Sequence, residues 1–563
     1  MDRHENRAKF LLLCFVALFS FLILRLFFIQ VIRHSFYKGL SSDQRLRAVD
    51  LLPDRGDILD RNGNLLATSV EKWSVYVRPR AIKDKNTAVR RLVEADASNE
   101  DLIREKFASG SNFWLRRKAD KSYADKIRKI DISGIDITPE KKRIYPKGRL
   151  ASQLIGFAGI DNEGLSGIEL ALEKHLLGRP GRYVFEKDPT GREIFSGMSR
   201  QVMAPEDGMD VYLTIDEPIQ YFAQKRLEDA VKKSEAVSGS IIVMDVGNGD
   251  ILAVAGYPDF DPNSYSKYPS DHWKLSPVTN IYEPGSTFKV ITACSGIEEG
   301  IIGPETVIPC PEELKVGGIK IKNSHALKMY RPFKDLKDVI AESLNTGTAY
   351  IGIKLGKEKF YSHIKKFGFG ERTGINFPGE QPGLLRSPGN WHDSDVATIS
   401  FGQTIAVTPI QLVCAVAAIG NNGIRMRPRL VKKIESADGS IIRSDPEQSL
   451  GQAVSAGTAK KANELMKGVA YMEHGTGRLA KIDRFSVAVK TGTAQKPTPG
   501  KGYVEKRYIA SIVGYVPSSN PRVAVLVVVD EPKTSIWGAS IAAPVFSEVA
   551  EFSLRRLNAC PDL

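Results

Sequence analysis

Residues 282–293 read YEPGSTFKVITA, with a Pro-Gly pair directly before a serine and a lysine three residues after it. A helix-breaking pair followed by helix-forming residues predicts that Ser286 opens a helix. Ser286 and Lys289 would then lie one turn apart on the same helix face. Such a pair is either a nucleophile with its base or a capping serine beside a solvated lysine.

The Ser-x-x-Lys pattern does not separate these two interpretations by itself. Ser69 with Lys72 and Ser264 with Lys267 match it as well. A short pattern with several matches in one chain carries weight only together with other motifs. The rest of the chain therefore has to decide.

Two further motifs follow in the chain. AESLNTG contains a Ser-x-Asn at Ser343 and Asn345, and VAVKTGTAQK contains a Lys-Thr-Gly at the end of an alternating strand pattern. Each is weak alone, since Ser518 and Asn520 also form a Ser-x-Asn. Together and in this order, with the first opening a helix and the third on a strand, the three motifs are a strong signal. They resemble the signature of the serine acyl-transferases that include penicillin-binding proteins and β-lactamases.

Acyl transfer by serine explains the residue types of the first two motifs. A serine hydroxyl is a poor nucleophile at neutral pH and needs a base beside it. Lys289, in a closed pocket near other cations, is predicted to be held neutral and to take that proton. Ser343 is predicted to relay a proton toward the leaving group, and Asn345 to hold a substrate amide. The predicted catalytic residues are thus Ser286, Lys289 and Ser343.

The third motif is predicted to bind the substrate. Lys490 adds positive charge, while Thr491 and Thr493 offer hydroxyls to a terminal carboxylate. Gly492 lets the strand approach the substrate backbone. By resemblance, the backbone N–H groups of Ser286 and Thr493 form the oxyanion hole.

The N-terminal segment predicts a membrane anchor. Residues 10–32 read FLLLCFVALFSFLILRLFFIQVI, which is long enough to span a bilayer and longer than the apolar part of a typical signal peptide. No small-x-small cleavage site follows, so an uncleaved signal anchor is predicted. Basic residues lie on both sides of it, so the charge rule does not set the orientation. Keeping residues 1–9 in the cytoplasm and the large polar remainder outside is the simpler arrangement.

Composition excludes several classes of protein. A chain of 563 residues is too long for one ordinary core, which predicts two or three domains. With 42% hydrophobic and 26% charged residues it is globular, neither disordered nor multi-spanning. The net charge of +13 favours anionic surroundings such as phospholipid head groups or an acidic cell-wall polymer. Nucleic acid is not expected, because the sequence has neither zinc-finger spacing nor an RNA-binding aromatic signature.

Cysteine and histidine spacing argues against a metal or another cofactor. The five cysteines form no close pair and no metal-binding spacing. The eight histidines include no His-x-x-x-His and no cluster with carboxylates along the sequence. No cofactor and no catalytic metal are predicted.

Hydrophobic patterns outline the elements on either side of residue 209. DRNGNLLA, residues 60–67, has an Asn-Gly turn between apolar stretches and predicts a hairpin. MDVYLTID, from Met209, predicts a strand, and a helix with Asp216 as its cap follows. Two apolar strands around a Gly-Asn-Gly turn come next, and three more strands and a closing helix lie near the C-terminus. The last part of the chain is thus predicted to form a sheet from both of its ends, with a helical section between them.

The resemblance extends along most of the chain. Three segments are similar to the N-terminal pedestal of class B penicillin-binding proteins: RGDILDRNGNLLATS (55–69), GLSGIELALEKHLLGRPG (164–181) and FEKDPTGREI (185–194). Three others are similar to their transpeptidase domain: FGFGERTGINFPGE (367–380), SFGQTIAVTPIQL (400–412) and HGTGRLA (474–480). Within the class, YEPGSTFK and LLATS resemble the septal, division-specific FtsI-like enzymes more than the elongation enzymes.

This resemblance implies an α+β multidomain architecture. A cytoplasmic tail (1–9) and a transmembrane signal anchor (10–32) would precede an elongated, mixed α/β pedestal of the dimerisation type (33–208). The transpeptidase domain (209–563) would have the penicillin-binding and β-lactamase-like fold, an antiparallel sheet flanked by helices.

One position departs from the family pattern. Val489 stands directly before the Lys-Thr-Gly motif, where the family usually has glycine. Alternation along a strand points Val489 away from the side that bears Lys490, so we expect the valine to be tolerated.

The resemblance also implies an activity and partners. The chain is expected to be a D,D-transpeptidase that cross-links peptidoglycan stem peptides at the division septum through a serine acyl-enzyme, with β-lactams as covalent inhibitors. It would be a single-pass protein of the bacterial cytoplasmic membrane, with its catalytic domain on the periplasmic side. Its partners would be lipid-linked precursor strands, an FtsW-like multi-span glycan polymerase and other division proteins.

Several alternatives share part of this pattern. An elongation-specific class B enzyme would differ in its cellular role. A D,D-carboxypeptidase or a β-lactamase passes the acyl group to water, but neither usually has this pedestal and anchor. A non-enzymatic penicillin sensor would have several spans, and a division scaffold would not need all three motifs. Residues 40–210 lack the acidic glycosyltransferase motif of bifunctional enzymes, so glycosyltransferase activity is not expected.

Overall fold

The computed structural model describes residues 2–186, 200–324, 331–498 and 502–563. These residues form two compact units, each built from two separate stretches of chain: Met1–Asp54 with Gly178–Asp207, and Arg55–Leu177 with Gly208–Leu563. Of the pedestal-like segment at 185–194, residues 187–194 lie outside the described part of the chain.

The first unit holds the predicted anchor and a small sheet. Its elements, numbered in chain order through the whole protein, are α1 (Asp2–Phe27), α2 (His34–Arg45), β1 (Leu46–Leu51), β6 (Gly181–Glu186) and β7 (Arg200–Met203). The strands form an antiparallel sheet in the order β1-β6-β7. A π-helical turn, Phe28–Ile32, continues α1. Within the helical stretch Arg3–Ile32, an 18-residue window has a mean hydropathy of 2.7, and the stretch is long and apolar enough to cross a membrane.

The second unit begins with a seven-stranded sheet. This sheet and the helices around it consist of β2 (Ile58–Leu59), β3 (Leu65–Val77), α3 (Lys85–Ala95), α4 (Glu100–Ser109), β4 (Phe113–Ala119), α5 (Lys121–Arg128), β5 (Ile135–Ile144), α6 (Ser152–Ile155), α7 (Gly167–Ala171), α8 (Glu173–Leu176), β8 (Asp210–Leu213), β16 (Val431–Glu435) and β17 (Ile441–Ser444). The strand order is β17-β16-β8-β2-β3-β4, and β5 also pairs with β3.

The predicted hairpin at residues 60–67 is confirmed. β2 and β3 pair antiparallel across it. The Asp60 carboxylate closes the turn by accepting the backbone N–H groups of Asn62 (2.7 Å) and Asn64 (2.9 Å). Gly63 has a φ of +88°, a left-handed conformation that glycine adopts without a side-chain clash.

The strand predicted from Met209 forms in the same sheet as this hairpin. β8 pairs in parallel with β2, so that Val211 lies opposite Ile58, and it pairs antiparallel with β16. Ile58, Val211 and Leu213 are fully buried in one continuous hydrophobic core. Strands from both sides of residue 209 therefore stabilise the same sheet, because each contributes apolar side chains to that core.

A second sheet supports the predicted catalytic motifs. Its strands and flanking helices are α9 (Glu217–Lys233), β9 (Ser238–Asp245), β10 (Ile251–Tyr257), β19 (Ala488–Thr498), β20 (Gly502–Val516), β21 (Val523–Asp530) and α18 (Gly538–Arg556). The order β10-β9-β21-β20-β19 is antiparallel throughout, which confirms the predicted sheet built from both ends of this region. The central strand β21 is buried except at Asp530, which explains its continuous apolar sequence.

Helix α9 packs against this sheet in the way its sequence predicts. The Asp216 carboxylate caps it by accepting the backbone N–H of Ile219 at 3.4 Å. Ile219, Leu227 and Val231 are buried along one stripe of the helix. The cap and the stripe together fix where the helix begins and which face it turns to the core.

The section between the two halves of the sheet is mostly helical, as predicted. It contains α10 (Ser276–Thr279), α11 (Lys289–Glu298), β11 (Val307–Pro309), β12 (Glu313–Val316), β13 (Ile319–Lys322), β14 (Phe333–Asp335), α12 (Leu336–Ala341), α13 (Asn345–Leu355), α14 (Lys357–Lys366), α15 (Asp393–Ser400), α16 (Pro409–Gly420), β15 (Ile424–Met426), β18 (Ser449–Gln452) and α17 (Ala456–Tyr471). Helix α11 is buried from Lys289 to Ile297, so this lysine lies inside the protein and not on a solvated face.

Candidate active site

The Ser286 turn has the geometry that its sequence predicts. Ser286 lies in a 3-10 turn, Gly285–Phe288, that runs directly into α11. Gly285 makes this turn with a φ of +55° and donates its N–H to the Gly402 carbonyl at 2.9 Å. In the described part of the chain no side chain caps either the turn or α11, so the Ser286 hydroxyl does not have the structural role of a capping serine.

Two cavities meet beside this turn. The first, of about 340 Å³, is lined by Ser286, Ser324, Ser343, His474, Gly475, Thr476, Thr491, Thr493, Trp537, Ala539 and Ser540. The second, of about 620 Å³, shares Ser324, Thr493 and Trp537 with the first and is also lined by Asn345. Residues of all three motifs thus line two adjoining cavities. The sequence predicted that the three motifs act together, but it did not predict these cavities.

Lys289 lies behind the first cavity and is fully buried. Its Nζ lies 2.5 Å from the Ser343 carbonyl oxygen, 2.7 Å from Asn345 Oδ1 and 3.3 Å from Ser343 Oγ. Burial, and then the nearby charge of Lys490, lowers the pKa of Lys289 well below its usual value. A neutral amine has two N–H groups, which match the two shorter contacts, and a lone pair that can accept a hydroxyl proton.

Lys490 approaches Ser343 from the other side. It is fully buried, and its Nζ donates to Ser343 Oγ at 2.9 Å and to the Thr491 carbonyl at 3.0 Å. Burial lowers its pKa to about 7. Two lysine amines therefore converge on the oxygen of one serine hydroxyl.

Ser343 is held in an unusual backbone conformation. It has a φ of +59° between the end of α12 and the start of α13. A left-handed conformation costs a non-glycine residue roughly 1 kcal/mol or more and often marks a functional site. Here it turns both the carbonyl and the hydroxyl of Ser343 toward Lys289.

Asn345 is fixed from both sides of its amide. Its Oδ1 accepts from Lys289, and its Nδ2 donates to the Lys322 carbonyl at 2.8 Å. Its backbone N–H donates to Asn323 Oδ1 at 2.8 Å. These contacts present Asn345 at the wall of the larger cavity, the side from which a substrate amide could approach.

The Lys-Thr-Gly motif lies on the edge strand β19, beside the serine turn. A side-chain carbon added at Gly492 would lie 2.4 Å from Ser511 Oγ and 2.8 Å from Thr287 Cγ2. Those distances are too short for any residue with a side chain. The missing side chain of Gly492 therefore lets the strand pack closely against the turn that carries Ser286.

Val489 fits because its neighbours are small. The valine is fully buried, and Gly514 lies opposite it in register on β20. A side-chain carbon at Gly514 would lie 2.6 Å from Val489 Cγ1, and one at Gly477 would lie 3.0 Å from Val489 Cγ2. Two glycines thus leave the space that the valine takes.

A loop that sequence reasoning did not assign to the site joins the second and third motifs. Thr491 Oγ1 donates to Thr476 Oγ1 at 2.8 Å, and the Thr476 N–H donates to the Ala341 carbonyl at 3.1 Å. Ala341 ends the helix that leads into Ser343. The signal for this loop in the sequence is HGTG, residues 474–477.

The fold places one histidine beside two carboxylates, which the sequence did not predict. Along the sequence no histidine clusters with carboxylates, yet His474 Nε2 lies 2.9 Å from Asp338 Oδ1 and 3.6 Å from Glu342 Oε1. These three side chains could in principle hold a metal ion. However, the Lys334 ammonium already lies 2.7 Å from Glu342 Oε1 and supplies the positive charge there. We therefore assign no metal to this cluster.

The competing matches named above lie in different surroundings. Ser69 and Lys72 are on the extended strand β3, where they are not one helical turn apart. Ser264 has non-helical backbone angles, and Lys267 is exposed. The Ser518 hydroxyl is 2.6 Å from another serine hydroxyl, that of Ser486.

Two family models match the chain. The penicillin-binding protein transpeptidase domain matches residues 239–551, and the penicillin-binding protein dimerisation domain matches residues 50–213. The fold and the grouped motifs therefore define a penicillin-binding transpeptidase that carries a dimerisation domain.

Similar proteins of known name indicate which group of penicillin-binding proteins this chain belongs to. Stage V sporulation protein D of Bacillus subtilis is 33% identical over 99% of this chain and 86% of its own length. Peptidoglycan D,D-transpeptidase FtsI of Escherichia coli is 31% identical over 100% of this chain and 94% of its own length. The aztreonam complex of penicillin binding protein 3 from Mycobacterium tuberculosis has a TM-score of 0.72 at 26% identity, covering 92% of this chain and 98% of that one. The chain belongs to the class B penicillin-binding proteins, a family of peptidoglycan D,D-transpeptidases.

Proposed function

We propose that this protein cross-links peptidoglycan at the division septum through an acyl-enzyme on Ser286. The observation that carries the proposal is the convergence of two buried amines, those of Lys289 and Lys490, on the Ser343 hydroxyl in the wall of the cavity that Ser286 lines. Lysines with lowered pKa values, in a cleft beside a serine hydroxyl, are the arrangement that nucleophilic catalysis needs.

Acylation would use the neutral amine of Lys289. This amine takes the Ser286 proton as the serine oxygen attacks the carbonyl carbon of the D-Ala-D-Ala peptide bond. Ser343, in contact with both amines, then passes a proton to the departing nitrogen. The backbone N–H groups of Ser286 and Thr493 stabilise the oxyanion, and the terminal D-alanine leaves.

Recognition of the terminal carboxylate falls to the third motif. Thr491 and Thr493 line the Ser286 cavity, and the Lys490 amine lies directly behind them. A bound carboxylate would favour the charged form of Lys490 and so raise its pKa from the low value set by burial. β-Lactams carry an equivalent acid group and a strained amide, so the same residues would bind them.

The septal assignment rests on residues 282–289, YEPGSTFK, and on LLATS at residues 65–69, which are more similar to septal than to elongation enzymes. An elongation role is the alternative, and it would use the same chemistry. A carboxypeptidase would pass the acyl group to water, for which the dimerisation domain and the anchor would have no evident use.

The test is covalent labelling. The purified protein is exposed to a labelled β-lactam, digested and examined by mass spectrometry. We expect a single adduct, on the peptide that contains Ser286. An adduct on Ser264 or Ser69, or no adduct at all, would contradict the assignment.

Removal of the anchor tests the proposed boundaries and orientation. We propose a cytoplasmic tail (1–9), a span (10–32), a pedestal (33–208) and a transpeptidase domain (209–563), with the last two outside the cytoplasm. A variant lacking residues 1–40 should be soluble and should label with a β-lactam at about the full-length rate, because the three motifs lie more than two hundred residues beyond the span. A tag placed after Leu563 should be protected in intact cells. Access to that tag from the cytoplasm would overturn the orientation.

Glycan strands must come from another protein, because residues 40–210 contain no glycosyltransferase motif. We propose that an FtsW-like multi-span polymerase supplies them and that the anchor is one contact. Arg25 and Gln30 are polar groups in an apolar helix, and such groups usually turn toward protein.

The purified full-length protein should form no glycan polymer from lipid-linked precursor on a gel. Replacing residues 10–32 with an unrelated span should weaken co-purification with the polymerase, whereas polymer made by the protein alone would refute the monofunctional assignment.

A further inference from the structure

The two half-reactions of a transpeptidase place two amines at the same point. In the first, the terminal D-alanine leaves through its nitrogen; in the second, an acceptor amine attacks the same carbonyl carbon. The second step is the chemical reverse of the first, so by microscopic reversibility the acceptor nitrogen lies where the leaving nitrogen was. The cavity that receives the terminal D-alanine is therefore also the cavity through which the acceptor arrives.

The structure identifies which of the two cavities this is. Thr491 and Thr493, the proposed ligands of the terminal carboxylate, both line the 340 Å³ cavity, and Thr491 does not line the larger one. The terminal D-alanine would therefore sit in the smaller cavity. The remaining donor peptide would extend past Asn345 into the larger one.

The acceptor needs a base of its own in this smaller cavity. It arrives as an ammonium ion, since an amine of this kind is mostly protonated near neutral pH. An ammonium nitrogen has no lone pair and cannot attack an ester. Lys289, Lys490 and Ser343 lie together behind the serine, and by the same reversibility they take the proton that the attacking nitrogen loses as its bond to carbon forms. The additional proton of the ammonium ion has to leave before the attack, and it is this proton that needs another base.

His474 is placed to take this proton. It lines the smaller cavity together with Ser286, and its side chain is 44% exposed. Its Nε2 lies 2.9 Å from Asp338 Oδ1, so the carboxylate fixes the hydrogen of the neutral ring on Nε2 and leaves the lone pair on Nδ1. Nδ1 has no hydrogen-bond partner among the residues that the structure describes, and it is therefore available to a ligand.

We propose that the smaller cavity is the acceptor-amine site and that His474, oriented by Asp338, removes the proton from the acceptor ammonium. This inference rests on the proposed transpeptidase function. One proton passes from the ammonium to His474 Nδ1, and the freed amine nitrogen attacks the acyl carbon. As the new C–N bond forms, this nitrogen gives its second proton to the Ser343 and Lys289 pair, which returns a proton to Ser286 Oγ as the bond from the acyl carbon to that oxygen breaks. The imidazolium then releases its proton to solvent. Among the described residues, the charged groups that face His474 are Asp338 and Glu342, with Lys334 behind Glu342.

The experiment separates the two half-reactions. The detergent-solubilised full-length protein is given a D-alanyl thioester as donor and D-alanine as acceptor, and the ratio of aminolysis to hydrolysis is measured. In His474→Gln the ratio should fall about tenfold or more near neutral pH, within the range that positioned proton transfer contributes. It should recover at alkaline pH, where more of the acceptor is already neutral. The rate of acylation by a labelled penicillin should stay within about twofold of wild type, because that step does not use His474.

Control variants make each outcome decisive. Asp338→Asn should lower the ratio less than His474→Gln does, since it removes only the group that orients the ring. His4→Gln, at an exposed position before the anchor, should leave the ratio unchanged. An unchanged ratio in His474→Gln overturns the proposal, and so does an equal loss of penicillin acylation, which would mean that the loop of Thr476 had moved. Failure of the wild-type protein to be acylated would instead overturn the transpeptidase function itself.

Discussion

Ser286→Ala should abolish covalent labelling by a β-lactam while the protein stays folded. The attacking atom is gone, and the remaining groups of the site cannot form an ester in its place. We expect the labelling rate to fall by at least about a thousandfold, since loss of a nucleophile removes the contribution of the whole catalytic group. The Ser286 hydroxyl caps neither the 3-10 turn nor α11, so the free energy of unfolding should change by less than about 1 kcal/mol.

Mass spectrometry and thermal unfolding check this prediction together. The matched control is Ser264→Ala, which removes the serine of a competing Ser-x-x-Lys match and should label normally. Labelling that survives in Ser286→Ala would place the nucleophile elsewhere, and labelling lost only together with the folded state would leave Ser286 without the role proposed for it.

Lys289→Arg should slow acylation by roughly a hundredfold to ten-thousandfold, the range that a positioned general base contributes. Arginine keeps the positive charge but stays protonated at any pH that the protein tolerates, so it cannot accept the serine proton. Because Lys289 is fully buried, the larger guanidinium also strains its surroundings. Lys289→Met, which has a similar length and no amine, therefore serves as the second variant and should show the same loss of rate. Near wild-type acylation in either folded variant would identify another group as the base.

The pH dependence of acylation follows from the same burial. Burial and the neighbouring Lys490 charge lower the pKa of Lys289, and only its neutral form can act as a base. Acylation in the wild type should therefore rise with pH through this lowered pKa, and it should do so at a lower pH than an ordinary lysine would allow. Lys490→Arg is the control that makes the same substitution at the other lysine. The proposed role of Lys490 needs its positive charge, which arginine keeps, so Lys490→Arg should lower the rate of acylation less than Lys289→Arg does.

Local patterns predicted a large part of this fold. The Asp216 cap, the Asn-Gly hairpin after β2 and the apolar runs of β9 and β21 depend on residues within a few positions of one another. The chemistry predicted for the site came from a resemblance, because a Ser-x-x-Lys, a Ser-x-Asn and a Lys-Thr-Gly in this order resemble the signature of the serine acyl-transferases.

What the sequence by itself determined is therefore the identity of the elements and of the motif residues. Only the tertiary structure decided which groups meet. It brought His474 to Asp338, 136 residues away in the chain, and it set Gly492 against Thr287. It also paired β8 with β2 across the predicted boundary near residue 209. Spacing along a chain does not encode such contacts, because they arise when separate elements bury their apolar faces in one core and carry their polar side chains with them.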